Sequence, residues 1–171
     1  MSGQPGHLCS QWCLMEIKKT IRVILADDHL LVRRGIRKLL EKSSNILVVG
    51  EAGTGAAALR LVQELVPDVL LLDIEMPDMR GTQVVQELRK KHAPVSIVIL
   101  SACDDPHFIE ETLRMGVNAY LIKSESPARI RETIQQAATR YAAVVPLLVY
   151  LLSKASPALF QAINGSSLAA S

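Results

Sequence analysis

The stretch Asp68-Val69-Leu70-Leu71-Leu72-Asp73 contains an aliphatic run that ends at a carboxylate. Consecutive aliphatic residues are typical of a strand buried on both faces of a parallel sheet. Open α/β sheets hold their ligands beyond the carboxyl ends of their strands. The pattern therefore predicts that Asp73 belongs to a functional site.

A second apolar run, residues 21–26, ends at the acidic pair Asp27-Asp28. If its strand lies beside the strand that ends at Asp73, three carboxylates converge. At about 4 Å and an effective dielectric near 20, a like-charge pair costs roughly 4 kcal/mol. Mg²⁺ relieves this repulsion and prefers carboxylate oxygens, so we predict a Mg²⁺ site suited to phosphate chemistry. Asp28 alone has another interpretation, as the N-cap of the first helix.

Strand patterns and helix patterns alternate five times along the chain. We predict strands at residues 21–26, 46–52, 69–72, 95–100 and 117–122. We predict helices at residues 29–43, 54–66, 81–91, 106–115 and 126–141, with Thr82 as a possible N-cap of the third. With right-handed crossovers this (βα)5 pattern predicts an α/β fold, a flavodoxin-like, doubly wound, five-stranded parallel sheet of order 2-1-3-4-5.

Two further polar residues lie at the ends of later predicted strands. Ser101 follows the fourth apolar run, and Lys123 follows the fifth. Taken singly, Ser101 is typical of a loop and Lys123 of a solvated surface. Together with the carboxylates they supply a nucleophile, a metal site, a hydroxyl and an ammonium, which is the equipment for forming an aspartyl phosphate.

Four segments of the chain resemble the receiver domain of two-component response regulators, of the NarL/FixJ-type subclass. They are Ile24-Leu25-Ala26-Asp27-Asp28-His29, residues 72–81, Leu100-Ser101-Ala102 and Ala119-Tyr120-Leu121-Ile122-Lys123. The resemblance covers about residues 20–141. It implies a flavodoxin-like (CheY-like) fold and a phosphorylation switch that is not an enzyme.

The resemblance also implies a metal site. Asp28 would bind Mg²⁺ directly, and Asp27 would hold it partly through water. Asp73 and the backbone carbonyl of Glu75 would complete the protein ligands.

The same resemblance implies roles in phosphoryl transfer and switching. Asp73 would be the phosphoacceptor, and Lys123 would pair with it or with its phosphoryl group. Ser101 would bind a phosphoryl oxygen, and Tyr120 would change rotamer as Ser101 moves. A sensor histidine kinase would donate the phosphoryl group.

Composition restricts the remaining possibilities. Residues 21–141 hold 16 of the 19 Lys and Arg and 16 of the 17 Asp and Glu, so this region is formally neutral and no nucleic-acid footprint is evident. Three cysteines do not make a disulfide framework, and no signal peptide is evident, so we expect a cytoplasmic protein without a membrane partner. His7, Cys9 and Cys13 permit a zinc site, but a disordered leader is the favoured interpretation.

The predicted organisation has three parts: a flexible leader at 1–19, a receiver domain at 20–141, and an apolar extension or linker at 142–171. We expect any DNA contact to need a helix-turn-helix output domain, which residues 142–171 do not resemble. The chain would then be a truncated transcription regulator or a stand-alone receiver. The apolar run at 142–152 would favour a homodimer if it is exposed.

Two other functions remain open. The first is an aspartate-nucleophile phosphohydrolase of the haloacid-dehalogenase type, although its nucleophile normally lies on the first motif strand. The second is a receiver-fold interaction module that is never phosphorylated.

Overall fold

The computed structural model describes residues 20–139, in which five strands alternate with five helices. The strands are β1 (Ile21–Ala26), β2 (Ile46–Ala52), β3 (Val69–Leu72), β4 (Ser96–Ser101) and β5 (Ala119–Ile122). The helices are α1 (Leu30–Leu40), α2 (Gly55–Leu65), α3 (Gly81–Lys90), α4 (Pro106–Arg114) and α5 (Pro127–Ala138). Among residues 20–139, no helix combines the length and the apolar character needed to span a membrane.

The strands form one parallel sheet in the order β2-β1-β3-β4-β5, which confirms the predicted doubly wound topology. Ala26 pairs with Leu72 at the carboxyl ends of β1 and β3. The backbone N–H of Asp73 donates a hydrogen bond to the carbonyl oxygen of Ala26 across this pair, at 2.7 Å. The register therefore brings the acidic ends of the two strands side by side.

The sheet is covered on both faces, and its central strands alternate between the two core layers. One layer packs Ile24, Leu70 and Leu72 against α2 and α3. The other packs Val23, Leu25 and Leu71 against α1 and α5. This burial on both faces explains why the central strands are continuous aliphatic runs in the sequence.

Helix starts show which local signals were correct. Thr54 caps α2 and Ser126 caps α5, each by accepting a backbone hydrogen bond. The prediction that Thr82 caps the third helix is wrong. Arg80 is the N-cap of α3, and the side chain of Gln83 accepts a hydrogen bond from its N–H. The alternative that Asp28 caps the first helix is also wrong, because His29 occupies that position.

Some sequence predictions fall on residues outside the described range. They are the leader at 1–19, the zinc alternative at His7, Cys9 and Cys13, and the extension at 142–171. The three-part domain division stays a prediction.

Asp78, in the loop after β3, joins that loop to the start of α2. Its carboxylate accepts hydrogen bonds from the N–H groups of Gly55 and Ala56, both at 2.8 Å. These hydrogen bonds lower the pKa of Asp78, and the bond from the Ala56 N–H has the largest effect. Asp78 thus satisfies helix N–H groups that have no partner inside the helix.

We expect Asp78→Ala to lower the free energy of unfolding by about 1 kcal/mol at neutral pH, as for other lost helix caps. Because the folded-state pKa is lowered, this contribution is present above the unfolded carboxyl pKa of about 3.9 and is lost as the pH falls through the folded value. Urea unfolding at neutral and acidic pH measures the difference. Asp104→Ala, which removes an exposed carboxylate distant in sequence from α2, is the control. Equal losses in the two variants would contradict the prediction.

Candidate functional site

The predicted site residues lie at the carboxyl edge of the sheet. Asp27 follows β1, Asp73 follows β3, Ser101 ends β4 and Lys123 follows β5. Asp27, Asp73 and Ser101 are buried, with at most 4% of their surface exposed. Buried polar groups at strand ends need partners, and the partners of these residues define the site.

Asp73 is held on both carboxylate oxygens. Its Oδ1 accepts a hydrogen bond from the N–H of Ile74, and its Oδ2 accepts one from Lys123 Nζ, each at 2.7 Å. Burial raises the pKa of Asp73, and the hydrogen bonds from Lys123 and Ile74 oppose that rise. The nearby Asp27 charge raises the pKa further. Asp73 is therefore a largely desolvated carboxylate that depends on Lys123 for its charged form.

Lys123 lies between two carboxylates. Its Nζ is 2.7 Å from Asp73 Oδ2 and 2.9 Å from Asp27 Oδ2. Burial lowers the pKa of Lys123, but the hydrogen bond to Asp73 and the close negative charges of Asp73 and Asp27 outweigh burial, so the pKa of Lys123 is raised. The backbone N–H of Lys123 donates to the carbonyl of Ser101 at 2.7 Å, which anchors the end of β5 to β4. The ammonium is thus charged and fixed.

The acidic cluster has the composition of a cation site. One possible ligand atom from each of Asp27, Asp28, His29 and Asp73 lies within 4.8 Å of the others. Asp27 Oδ2 is buried and accepts no hydrogen bond, since its contact with Lys123 lacks hydrogen-bond geometry. Asp28 is more exposed, which leaves the cluster open on one side. Three carboxylates with one unsatisfied buried oxygen fit a hard divalent cation.

His29 is a cluster residue that the sequence prediction did not assign. Its Nδ1 lies 2.6 Å from Asp28 Oδ1 and 3.6 Å from Asp27 Oδ1. The backbone N–H of His29 donates a hydrogen bond to Asp27 Oδ1 at 2.8 Å. The available signal was its position directly after the acidic pair.

The two predicted switch residues meet at one backbone segment. Ser101 Oγ accepts a hydrogen bond from the N–H of Cys103 at 3.2 Å. The Tyr120 hydroxyl donates to the carbonyl of Cys103 at 2.9 Å, and burial raises the pKa of this half-buried phenol. The loop after β4 therefore connects Ser101 to Tyr120.

Glu75 has a different environment from the other predicted site residues. Its side chain is exposed and does not belong to the acidic cluster found among residues 20–139. The prediction concerned its backbone carbonyl only, and that role stays a prediction.

Comparison with known proteins identifies the class of protein that this fold and site define. The model of the response regulator receiver domain family matches residues 23–135. A transcriptional regulatory protein, NarL, of Mycobacterium tuberculosis is 38% identical over 129 residues, covering 75% of this chain and 60% of the relative. The chain thus spans about three fifths of that relative.

The chain is also similar to solved structures of receiver domains. The signal receiver domain of NarL from Mycobacterium tuberculosis has a TM-score of 0.69 and 37% identity, covering 71% of this chain and 98% of that one. The isolated receiver domain of RcsB from Salmonella enterica serovar Typhimurium, solved with the phosphomimetic BeF3-, has a TM-score of 0.63 and 27% identity. This match covers 67% of this chain and 85% of that one.

The chain belongs to the response regulator receiver domain family, and its relatives are NarL-type regulators. Phosphorylation-based switching is the general function of this family, whose members are signalling domains rather than typical enzymes and bind Mg²⁺ at an acidic pocket.

Proposed function

We propose that Asp73 accepts a phosphoryl group from a sensor histidine kinase, with Mg²⁺ held by Asp27, Asp28, Asp73 and the backbone carbonyl of Glu75. The observation that carries the proposal is the 2.7 Å contact between the buried Asp73 carboxylate and Lys123 Nζ. A desolvated carboxylate with one fixed cation beside it is suited to nucleophilic attack on phosphorus.

In the transfer step a carboxylate oxygen of Asp73 forms a bond to phosphorus while the P–N bond of the donor phosphohistidine breaks. The imidazole leaves with the bond electrons and takes up a proton. Lys123 keeps Asp73 ionised and, after transfer, neutralises charge on the phosphoryl oxygens. When bound, Mg²⁺ offsets charge on the carboxylates and on the phosphoryl group.

The proposed switch uses the contacts around Cys103. Ser101 Oγ would exchange its bond from the Cys103 N–H for one to a phosphoryl oxygen. Tyr120, bonded to the carbonyl of the same residue, would respond to that movement. We propose that α4, β5 and α5 form the face that changes, through a shift between pre-existing conformations.

We expect Asp73→Asn to abolish phosphorylation by acetyl phosphate and Mg²⁺, because a carboxamide cannot form the acyl phosphate. Intact mass spectrometry and phosphate-affinity electrophoresis measure the product. Asp78→Asn, which changes an acid in the same loop that contacts α2, is the matched control and should be phosphorylated like wild type. Wild-type incorporation into Asp73→Asn would overturn the proposal.

A transcriptional output is supported by the NarL-type relatives, and we propose that DNA is contacted only through an output domain, not by residues 20–139. We propose a homodimer as the active assembly and the cytoplasm as the place where the protein acts. Light scattering with and without beryllofluoride and Mg²⁺ tests dimerisation.

Multiple turnover of a small phosphate ester would instead favour the phosphohydrolase alternative.

A further inference from the structure

Arg33, on the first turns of α1, reaches back to the loop that carries the acidic pair. Its Nη1 donates a hydrogen bond to the backbone carbonyl of Asp27 at 2.6 Å. Its Nε donates to Glu51 Oε2 on β2 at 3.1 Å. Only 15% of the Arg33 side chain is exposed. A largely buried guanidinium is thus hydrogen-bonded to the backbone of the segment that carries two of the proposed metal ligands.

Asp27 is fixed from several directions. Its N–H donates to the carbonyl of Ala52 at 3.1 Å, and its Oδ1 accepts from the N–H of His29 at 2.8 Å. Arg33 fixes its carbonyl, which belongs to the peptide linking Asp27 to Asp28. Because this peptide sets the direction of both acidic residues, its position determines where their carboxylates lie.

Glu51 holds Arg33 in place and also binds a second arginine. Arg37 Nη1 lies 2.5 Å from Glu51 Oε1, and Arg37 Nε lies 2.7 Å from Glu41 Oε1. The two arginines share a helix, an anion and an ion-pair network, but only Arg33 bonds to Asp27. Arg37 is therefore a matched control for the contact with Asp27.

We propose that Arg33 is a positioning residue that sets the affinity of the acidic site for Mg²⁺ by fixing the Asp27–Asp28 peptide; this inference rests on the proposed function. Mg²⁺ demands a nearly ideal octahedral arrangement of oxygens, so small displacements of its ligands weaken binding. The charge of Arg33 acts in the opposite direction, since a cation near the site repels Mg²⁺. Glu51 pairs with that charge, so positioning is the larger effect.

Replacing Arg33 changes the Kd for Mg²⁺ in opposite directions through these two effects: loss of positioning raises the Kd, and loss of the positive charge lowers it. Because positioning is the larger effect, we expect Arg33→Ala in the full chain to raise the Kd for Mg²⁺ by about 10-fold, the size of effect found when groups that orient metal ligands are removed. Arg37→Ala leaves the Kd unchanged. Arg33→Lys, which keeps the charge and a donor, recovers part of the affinity. Calorimetric titration with Mg²⁺, supported by Mn²⁺ electron paramagnetic resonance, measures these constants without any phosphorylation step.

Urea unfolding of each variant separates affinity from stability. Equal Mg²⁺ affinity in Arg33→Ala and Arg37→Ala, or tighter binding in Arg33→Ala, overturns the inference. If Arg33→Ala does not fold, Arg33→Lys and Arg37→Lys are compared instead, and only the former should bind more weakly. A wild-type protein that fails to bind Mg²⁺ overturns the proposed function, and the inference falls with it. Wild-type binding with no effect at Arg33 overturns the inference alone.

Discussion

Lys123→Met is expected to lower the free energy of unfolding by about 2–3 kcal/mol at neutral pH without Mg²⁺. Removing one partner of a buried ion pair typically costs about 3–5 kcal/mol, and the 22% exposure of Lys123 reduces that loss. Asp73 and Asp27 would keep their burial and lose the ammonium that lies within 2.9 Å of both. Two buried carboxylates would then repel each other with no fixed cation beside them.

The pH dependence of this variant follows from the pKa of Asp73. Burial raises that pKa, and loss of Lys123 removes the main opposing cause. A carboxyl with a raised folded pKa contributes stability that is fully present below its unfolded pKa of about 3.9 and is lost as the pH rises through the folded value. The difference in the free energy of unfolding between Lys123→Met and wild type should therefore become smaller as the pH is lowered. Mg²⁺ should restore stability to the variant by binding the folded state.

Urea unfolding with EDTA and with excess Mg²⁺ provides the measurement. Lys90→Met is the control, because Lys90 is exposed and pairs with Glu87 at the surface, where such pairs contribute little. Equal losses in the two variants, or a loss in Lys123→Met that grows in acid, would show that Lys123 does not neutralise Asp73.

The sheet could be predicted from sequence because its signals are local and redundant. Each central strand is buried on both faces, so residues 21–26 and 69–72 were placed at their observed bounds. The start of α3 at residue 81 also follows from the sequence, but its N-cap does not, since Thr82 carries a good capping side chain and yet lies inside the helix. Gln83 reaches back to Arg80 in its place, and side-chain reach is not visible in composition.

The residues of the site also fall into those that the sequence predicts and those that it does not. Asp27, Asp73, Ser101 and Lys123 follow from strand ends plus sheet order, so the sequence was sufficient to bring them together. Arg33 was not recognised, because its role depends on a side chain that crosses from α1 to a carbonyl in the preceding loop. Such contacts are decided by tertiary packing rather than by periodicity.

Gly81 is the first residue of α3, and it packs against the backbone that follows β3. Its φ is not positive, so a left-handed backbone conformation is not the reason for a glycine at this position. A Cβ at Gly81 would overlap the carbonyl oxygen of Asp73 and lie 2.9 Å from Ile74 Cα. Its N–H also donates to the carbonyl of Ile74 at 2.8 Å. Gly81 is required by close approach to the backbone that carries the phosphoacceptor.

Gly81→Ala is therefore expected to lower the free energy of unfolding by about 3 kcal/mol, the upper end of typical overpacking losses, because the obstructing atoms are backbone. It should also slow phosphorylation by acetyl phosphate, since any relief moves Asp73. Gly35→Ala is the control, because a Cβ at Gly35 has nothing within 4 Å and Gly35 lies inside α1. Removing a helix-interior glycine should stabilise the protein by about 0.5–1 kcal/mol. Opposite signs of the two stability changes, with phosphorylation slowed only in Gly81→Ala, would tie this glycine to the placement of Asp73; equal changes would refute that link.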